Sequence, residues 1–395
     1  EAAAADEAEA DGEDYDPTAG LVIGRSAVRE LLRSGRTVDK LLVHRGEREG
    51  SIVMLVAEAI EQGIPVVEVD KAKLDEMAGF VPHQGVIAMV AQKDYCSVED
   101  ILALAKEHQC NYLFEASVGG GIPIIRPLNY SLTAERIEAI TGILNGTTNY
   151  ILTKMEKEGA DFDAVLKEAQ EKGYAERNPE ADVEGYDACR KIAILASLML
   201  GKNVDYNKVY TEGITKITSR DFEYAKQMDM SIKLLAIGRE IGDKTLAMVA
   251  PFLIPAEHPL HMVNGVFNAV FVKGNMLGDS MYYGRGAGKL PTASAVVSDV
   301  IDCARHIGKV IMCFWDAEQA ELVNVEDTDC AFFFRVKSGS EDRVKALFGD
   351  VKKVVLPGVT EEEGFITAAL KEKDFDRKYA ELADVHVGAR LRLEA

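Results

Sequence analysis

Residues 172–196 read KGYAERNPEADVEGYDACRKIAILA and gather the side chains best suited to chemistry. Glu176 falls in a turn that Asn178-Pro179 enforces. Asp182 and Glu184 lead into a helix holding Asp187, Arg190 and Lys191, whose apolar face continues through Ile192, Leu195 and Leu198. Asp187 and Lys191 stand i,i+4 and so share one helical face. Spacing alone favours a surface ion pair at a helix start, where acids suit the dipole.

Three other stretches bear on the same question. Asn145-Gly146-Thr147-Thr148-Asn149 reads as a turn or helix cap. Tyr112-Leu113-Phe114 reads as an apolar strand running toward the triple glycine Gly119–Gly121, with Glu115 between. Gly284–Lys289 suggests a phosphate loop, but Leu290 follows the lysine and no G-x-G-x-x-G forms. His258 and His261 sit in a Pro-rich loop and read as structural. Cys96, Cys110, Cys189, Cys303, Cys313 and Cys330 form no C-x-x-C pair, which predicts reduced thiols of a cytoplasmic protein.

The elements that must position these groups divide in two. Residues 19–93 alternate short strands and helices in a compact α/β unit, and SVEDILALAKEHQ follows as a capped helix. From 111 the pattern predicts helices to about residue 240. Strands TLAMVAPFLIP, GVFNAVFVKG and SMYYGRG then precede the helix TASAVVSDVIDCARHIG, an α+β order. Residues 326–395 read β-α-β-β-α-β, the ferredoxin-like order. The predicted class is therefore α/β and α+β multidomain. Its segments are 1–18 (tail), 19–93, 94–110 (linker helix), 111–325 and 326–395.

The whole chain of 395 residues carries a net charge of −20, which opposes generic nucleic-acid binding. Residues 1–16 hold eight acids and no base, an expected solvated tail. Residues 21–48 instead hold seven bases against three acids, a local basic face. The chain has no apolar run of membrane-spanning length.

FEASVGGGIPIIRPL, GILNGTTNYILTKM, the 172–196 stretch and YYGRGAGKLPTASAVVSD, in this order, resemble homoserine dehydrogenases over residues 111 to about 325. The resemblance implies interconversion of L-homoserine and L-aspartate 4-semialdehyde with NAD(P)(H), on the route to threonine, methionine and isoleucine. It implies that Glu176 and Asp182 hold substrate, that Asp187 orients it, and that Lys191 polarises the carbonyl and passes the proton. Asn145, Thr147 and Gly286 match cofactor-side positions. Glu115, Val118, Gly120 and Ile122 match a site for a monovalent cation such as Na+. A homo-oligomer with an amino-acid substrate is implied. The chain departs from the family at Arg177-Asn178, where Asp usually precedes the proline. The last unit resembles an ACT domain, but its first loop is SGSEDRV rather than a Pro-Gly ligand turn.

GLVIGRSAVRELLRSGRTVDKLLVHRGEREG, GIPVVEVDKAKLDEMAG and HQGVIAMVAQKDY resemble the substrate-binding domain of SpoU-type RNA 2′-O-ribose methyltransferases over about 19–107. That implies an L30e-like fold and RNA contacts by Arg25, Arg29, Arg36 and Arg45, with a solvated basic face as the plain alternative. Residues 19–110 lack the G-x-G-x-x-G fingerprint that a dinucleotide-binding half requires. The expectation is therefore little dehydrogenase turnover by this chain. The competing readings are an RNA-binding module or a fusion of two truncated proteins joined at Cys110/Asn111. With no Rossmann half to pack on, Val296, Val297, Val300 and Ile301 are expected either to be exposed or to lean on the N-terminal unit.

Overall fold

The computed structural model describes residues 20–46, 50–79, 81–90, 97–311 and 315–394. The expected acidic tail, Cys96 and Cys313 lie outside them. The chain divides into two compact units, 1–104 and 105–395.

The first unit runs β1 (Leu21–Ile23), α1 (Arg25–Arg33), β2 (Val38–His44), α2 (Ser51–Glu61), β3 (Val66–Val69), α3 (Lys71–Ala78) and β4 (Val86–Val90). Its sheet order is β1-β4-β2-β3, with β2 and β3 parallel and the other pairs antiparallel. Val28, Leu41, Val43, Leu55 and Ala88 form its core. Two segments far apart in sequence meet here. The Arg25 peptide N–H donates to Gln84 Oε1 at 3.0 Å, and its Nε donates to Gln84 O at 2.9 Å. Gly24 carries φ +96° and lies against Pro82 O, a conformation that L side chains rarely adopt. Helix α4 (Val98–Glu107) has the expected reciprocal cap: Ser97 N–H donates to Asp100 Oδ2 and Asp100 N–H to Ser97 Oγ, each at 3.1 Å.

The second unit starts differently from the prediction. Tyr112–Phe114 joins no sheet and leads into a 3-10 turn, Glu115–Ser117. The Asn111 side chain holds the segment instead, donating to Lys309 O at 2.9 Å and accepting from Ile311 N at 2.7 Å. There follow β5 (Ile137–Ile143), α5 (Gly146–Glu158), α6 (Phe162–Glu171), α7 (Glu180–Val183), α8 (Tyr186–Leu200), β6 (Lys202–Asn203), β7 (Tyr210–Thr211), α9 (Ser219–Gln227), β8 (Met230–Ile241), β9 (Lys244–Pro255), β10 (Phe267–Gly274), β11 (Gly278–Arg285) and α10 (Lys289–Arg305). Strands β5 and β8 correct the expectation of helices to residue 240. Both faces of β8 are covered, with Ser231 and Lys233 buried among its apolar residues, so it lacks the alternation that marks a half-exposed strand.

After β12 (Asp316–Gln319) come β13 (Asp329–Lys337), α11 (Glu341–Phe348), β14 (Val351–Val354), β15 (Glu362–Thr367), β16 (Leu370–Lys371), α12 (Glu372–Ala380) and β17 (His386–Leu393). Their order β17-β13-β15-β14 is ferredoxin-like. This unit does not stand apart: β17 pairs in parallel with β9, giving one sheet path β11-β10-β5-β8-β9-β17-β13-β15-β14. Buried Arg392 ties the seam, donating to Glu372 Oε2 at 3.0 Å and Glu212 Oε2 at 2.8 Å.

Helices α5 and α8 pack on one sheet face through Ile151, Leu152, Ile192 and Leu195, against Ala236, Val249, Val270 and Val272. Alternation sends Ile237, Met248 and Ala269 to the opposite face, over a second core with Leu260 and Val325. Helix α10 is anchored by Arg126, which pairs with Asp299 and, at 2.9 Å, with Asp302. Within this unit its other side is uncovered: Val296, Val297, Val300 and Ile301 are 44–62% exposed.

Candidate active site

Helix α8 starts after Gly185, whose φ of +83° turns the chain sharply out of α7. A Cβ there would meet Thr211 and Val249 side chains at 3.2 Å, so the corner is pressed onto the sheet. One turn into the helix, Lys191 Nζ lies 2.7 Å from Asp187 Oδ2 and donates to Leu144 O at 3.1 Å. An ammonium has three donors. Two are engaged, which fixes the group and leaves one N–H for a ligand.

Leu144 ends β5, and Asn145 follows as the N-cap of α5. Its Oδ1 accepts from Thr148 N at 2.9 Å. That bond orients the amide, so Nδ2 faces the acids. It donates to Asp182 Oδ1 at 2.7 Å and Asp187 Oδ2 at 2.9 Å. One side chain thus holds two carboxylates that would otherwise repel. Burial pushes the Asp182 carboxyl up from its ordinary value and the Asp187 charge adds to this, while the Asn145 bond opposes it. The cap predicted for Asn145 is present. Its bridge between the acids was not foreseen, nor was the Leu144 carbonyl; an N-cap asparagine 37 residues before an acid gives no sequence signal.

Thr147 Oγ1 donates to Tyr174 O at 2.7 Å, fastening the turn that carries Glu176 to the start of α5. Glu176 itself is exposed, and its carboxylate makes no hydrogen bond among the described residues. It is therefore available, but no bond joins it to Asp182 and Asp187.

The remaining predicted residues form a stack of glycine turns. Gly121 N–H donates to Arg285 O at 3.0 Å, and a Cβ on Gly120 would lie 2.5 Å from Gly286 O. Only glycine allows backbones this close. Glu115, 3% exposed, accepts three peptide N–H groups, from Ile124 at 2.7 Å, Ile125 at 3.0 Å and Arg126 at 2.8 Å. The carbonyls of Val118, Gly120 and Ile122 receive no protein donor among the described residues. One carboxylate and three free carbonyls are a hard-oxygen set that fits an alkali cation. On the far side of Gly286 lies Asn268, 1% exposed. Both of its amide atoms lack hydrogen-bond partners among the described residues, and sequence reading passed over it.

In the first unit, Arg25 donates to Gln84 O and Arg45 lies 3.6 Å from Asp70, so both engage groups of the unit itself. Arg36 is exposed and Arg29 half-buried. A cleft of about 810 Å³, lined by Arg136, Thr141, Arg239, Phe271 and Lys273, opens on the sheet face away from α5 and α8. It contains none of the residues predicted to do chemistry. The candidate site is set by convergent polar groups rather than by cavity size.

Residues 123–301 match the family described as homoserine dehydrogenase, and residues 21–96 match the substrate-binding domain of RNA 2′-O ribose methyltransferases. The homoserine dehydrogenase of Bacillus subtilis is 49% identical over 221 residues, 55% of this chain and 51% of that protein. That of Synechocystis is 55% identical over 207 residues, 51% of this chain and 48% of that protein. The chain thus spans about half the length of these curated relatives. Among solved structures, a homoserine dehydrogenase from Thiobacillus denitrificans superposes with TM-score 0.69 at 33% identity, covering 89% of this chain and 81% of that one. The S. aureus enzyme at pH 6.5 gives 0.59 at 28% identity, covering 93% and 83%. Asn145, Asp182, Asp187, Lys191 and Gly286 all fall inside the matched span, and the chain belongs to the homoserine dehydrogenase family.

Proposed function

We propose that residues 111–325 bind L-homoserine and L-aspartate 4-semialdehyde and provide the acid–base machinery for their NAD(P)-linked interconversion. The observation that carries this is the Lys191 ammonium, held by Asp187 and the Leu144 carbonyl with one N–H left over. Bound NAD(P)H would supply the hydride. As hydride reaches the aldehyde carbon, charge builds on oxygen, and the Lys191 N–H stabilises and then protonates it. In the reverse direction the amine takes the hydroxyl proton. Glu176 and Asp182 suit the substrate's ammonium, and the Asn145 bridge keeps Asp182 and Asp187 at fixed spacing.

The resemblance assigns Gly286 to the cofactor side, where it is buried between Gly120 and Asn268 and would support a bound nicotinamide through its backbone. The cofactor's pyrophosphate finds no matching cradle in residues 20–90, where Gly24 alone precedes α1. Slow turnover by this chain follows. The Glu115 turn suits a cation such as Na+, and the family suggests a cytoplasmic homo-oligomer in threonine, methionine and isoleucine synthesis. Calorimetric titration with L-homoserine tests the reading. Binding that falls at least tenfold in Asp187→Asn supports it, and wild-type protein that binds none refutes it.

For residues 21–96 we propose RNA contact through the basic face, favoured by the family match and by exposed Arg36. Ribosomal RNA fragments should bind with a steep salt dependence that weakens in Arg29→Ala and Arg36→Ala. Absence of any shift at low salt would refute this.

A further inference from the structure

Asn268 is a buried side chain near the candidate site that the proton-transfer chemistry above does not use. It lies on β10, on the same sheet face as Val270 and Val272 by alternation, opposite Gly284 of β11. It is 1% exposed, yet neither Nδ2 nor Oδ1 has a hydrogen-bond partner among the described residues. Its neighbours are two glycines. A Cβ on Gly286 would fall 2.0 Å from Nδ2, and one on Gly146 would fall 3.4 Å from Oδ1. Beyond Gly286 stands Gly120 of the Glu115 turn; beyond Gly146 comes the Asn145 amide on Asp182 and Asp187. Asn268 therefore sits where the cation-side turn, the Gly286 turn and the acid-bearing corner converge. A buried amide with no partner is unfavourable, and leucine has the same branched shape without that penalty.

We propose that Asn268 is a positioning residue held unpaired in the resting protein. It acts through Gly146 and Gly286, and it gains its hydrogen bonds when an amino-acid alcohol, L-homoserine, draws the two turns together. The proposal rests on the homoserine reading above and adds a function for a residue outside the proton-transfer set.

The test compares wild type, Asn268→Leu and Asn268→Ala by thermal unfolding without ligand and by calorimetric titration with L-homoserine. Asn268→Leu should melt about 2 °C higher or more, because an unsatisfied amide is removed. It should also bind homoserine about tenfold more weakly, in line with hydrogen bonds lost only from the bound state. Asn268→Ala should show the same loss of affinity without added bulk beside Gly286. A purely structural residue would not raise stability and lower affinity together. A lower melting point in Asn268→Leu overturns the proposal by showing the amide paired at rest, and unchanged affinity in both variants overturns it equally. If wild type binds no homoserine, the functional reading fails and this inference falls with it. If wild type binds and only the Asn268 variants are unaffected, the inference alone fails.

Discussion

Lys233, on β8, is fully buried and, among the described residues, has no carboxylate partner within ion-pair distance. Its Nζ donates to Val263 O at 3.0 Å and Asn264 Oδ1 at 2.8 Å. Asn149 binds the same segment, donating to Val263 O, Gly265 O and Phe267 O, so the two side chains hold the approach to Asn268. Burial pushes the Lys233 ammonium down from 10.5 to about 8. At about 1.36 kcal/mol per pH unit, this displacement corresponds to roughly 3 kcal/mol of linkage. A group with a lower pKa in the native state releases its proton there first. From about pH 8 upward the unfolded chain binds the extra proton, so Lys233 makes stability rise with pH. Between pH 7 and pH 10 wild type should gain about 2–3 kcal/mol relative to Lys233→Met. At pH 7 the variant's relief from the buried charge is partly offset by two lost hydrogen bonds of about 1 kcal/mol each. The assay is urea unfolding at several pH values, followed by fluorescence of the single tryptophan. Trp315 donates to Asn203 Oδ1 at 3.2 Å and stacks edge-on with Phe114, so it reports on the larger unit. Parallel stability curves for wild type and Lys233→Met over pH 7–10 would refute the reasoning.

Glu115→Gln places an amide against three peptide donors and removes the charge they share, so it should destabilise the larger unit by about 2–4 kcal/mol in urea titrations. Any stabilisation by Na+ over a large organic cation should vanish in the same variant. On α10, Val297→Glu and Val300→Glu should change stability by no more than about 0.5 kcal/mol, because both side chains are more than half exposed; a large loss would show that the face is packed in solution. Burial holds the Asp182 carboxyl above its ordinary value, so its contribution favours the native state at low pH and is lost as pH rises through the native value. Homoserine affinity, which needs the carboxylate, should run the opposite way, falling as pH drops through that value. Asp182→Asn should flatten this profile.

How much of this was legible depended on whether local pattern and tertiary role coincided. The 21–90 unit alternates short, well-punctuated elements, and each predicted strand and helix there is present. β8 was lost to a helix reading because both its faces are covered. Tyr112–Phe114 has strand-like residues but no ladder partner. At the site, the Asp187–Lys191 pair is local and was visible as i,i+4 spacing. The Asn145 bridge, the Leu144 carbonyl and the approach of Asn268 to Gly146 depend on contacts between segments at least 37 residues apart, which no periodicity encodes. The union of the ferredoxin-like order with the main sheet was equally hidden, because it rests on two residue pairs between β9 and β17.

A crystal structure of the chain soaked with L-homoserine tests the central claim most directly. The account predicts the substrate hydroxyl within about 3 Å of Lys191 Nζ, on the N–H not used by Asp187 and Leu144, with the ammonium toward Glu176 and Asp182. Homoserine bound elsewhere, with the Asp187–Lys191 corner left unengaged at saturating ligand, would contradict it.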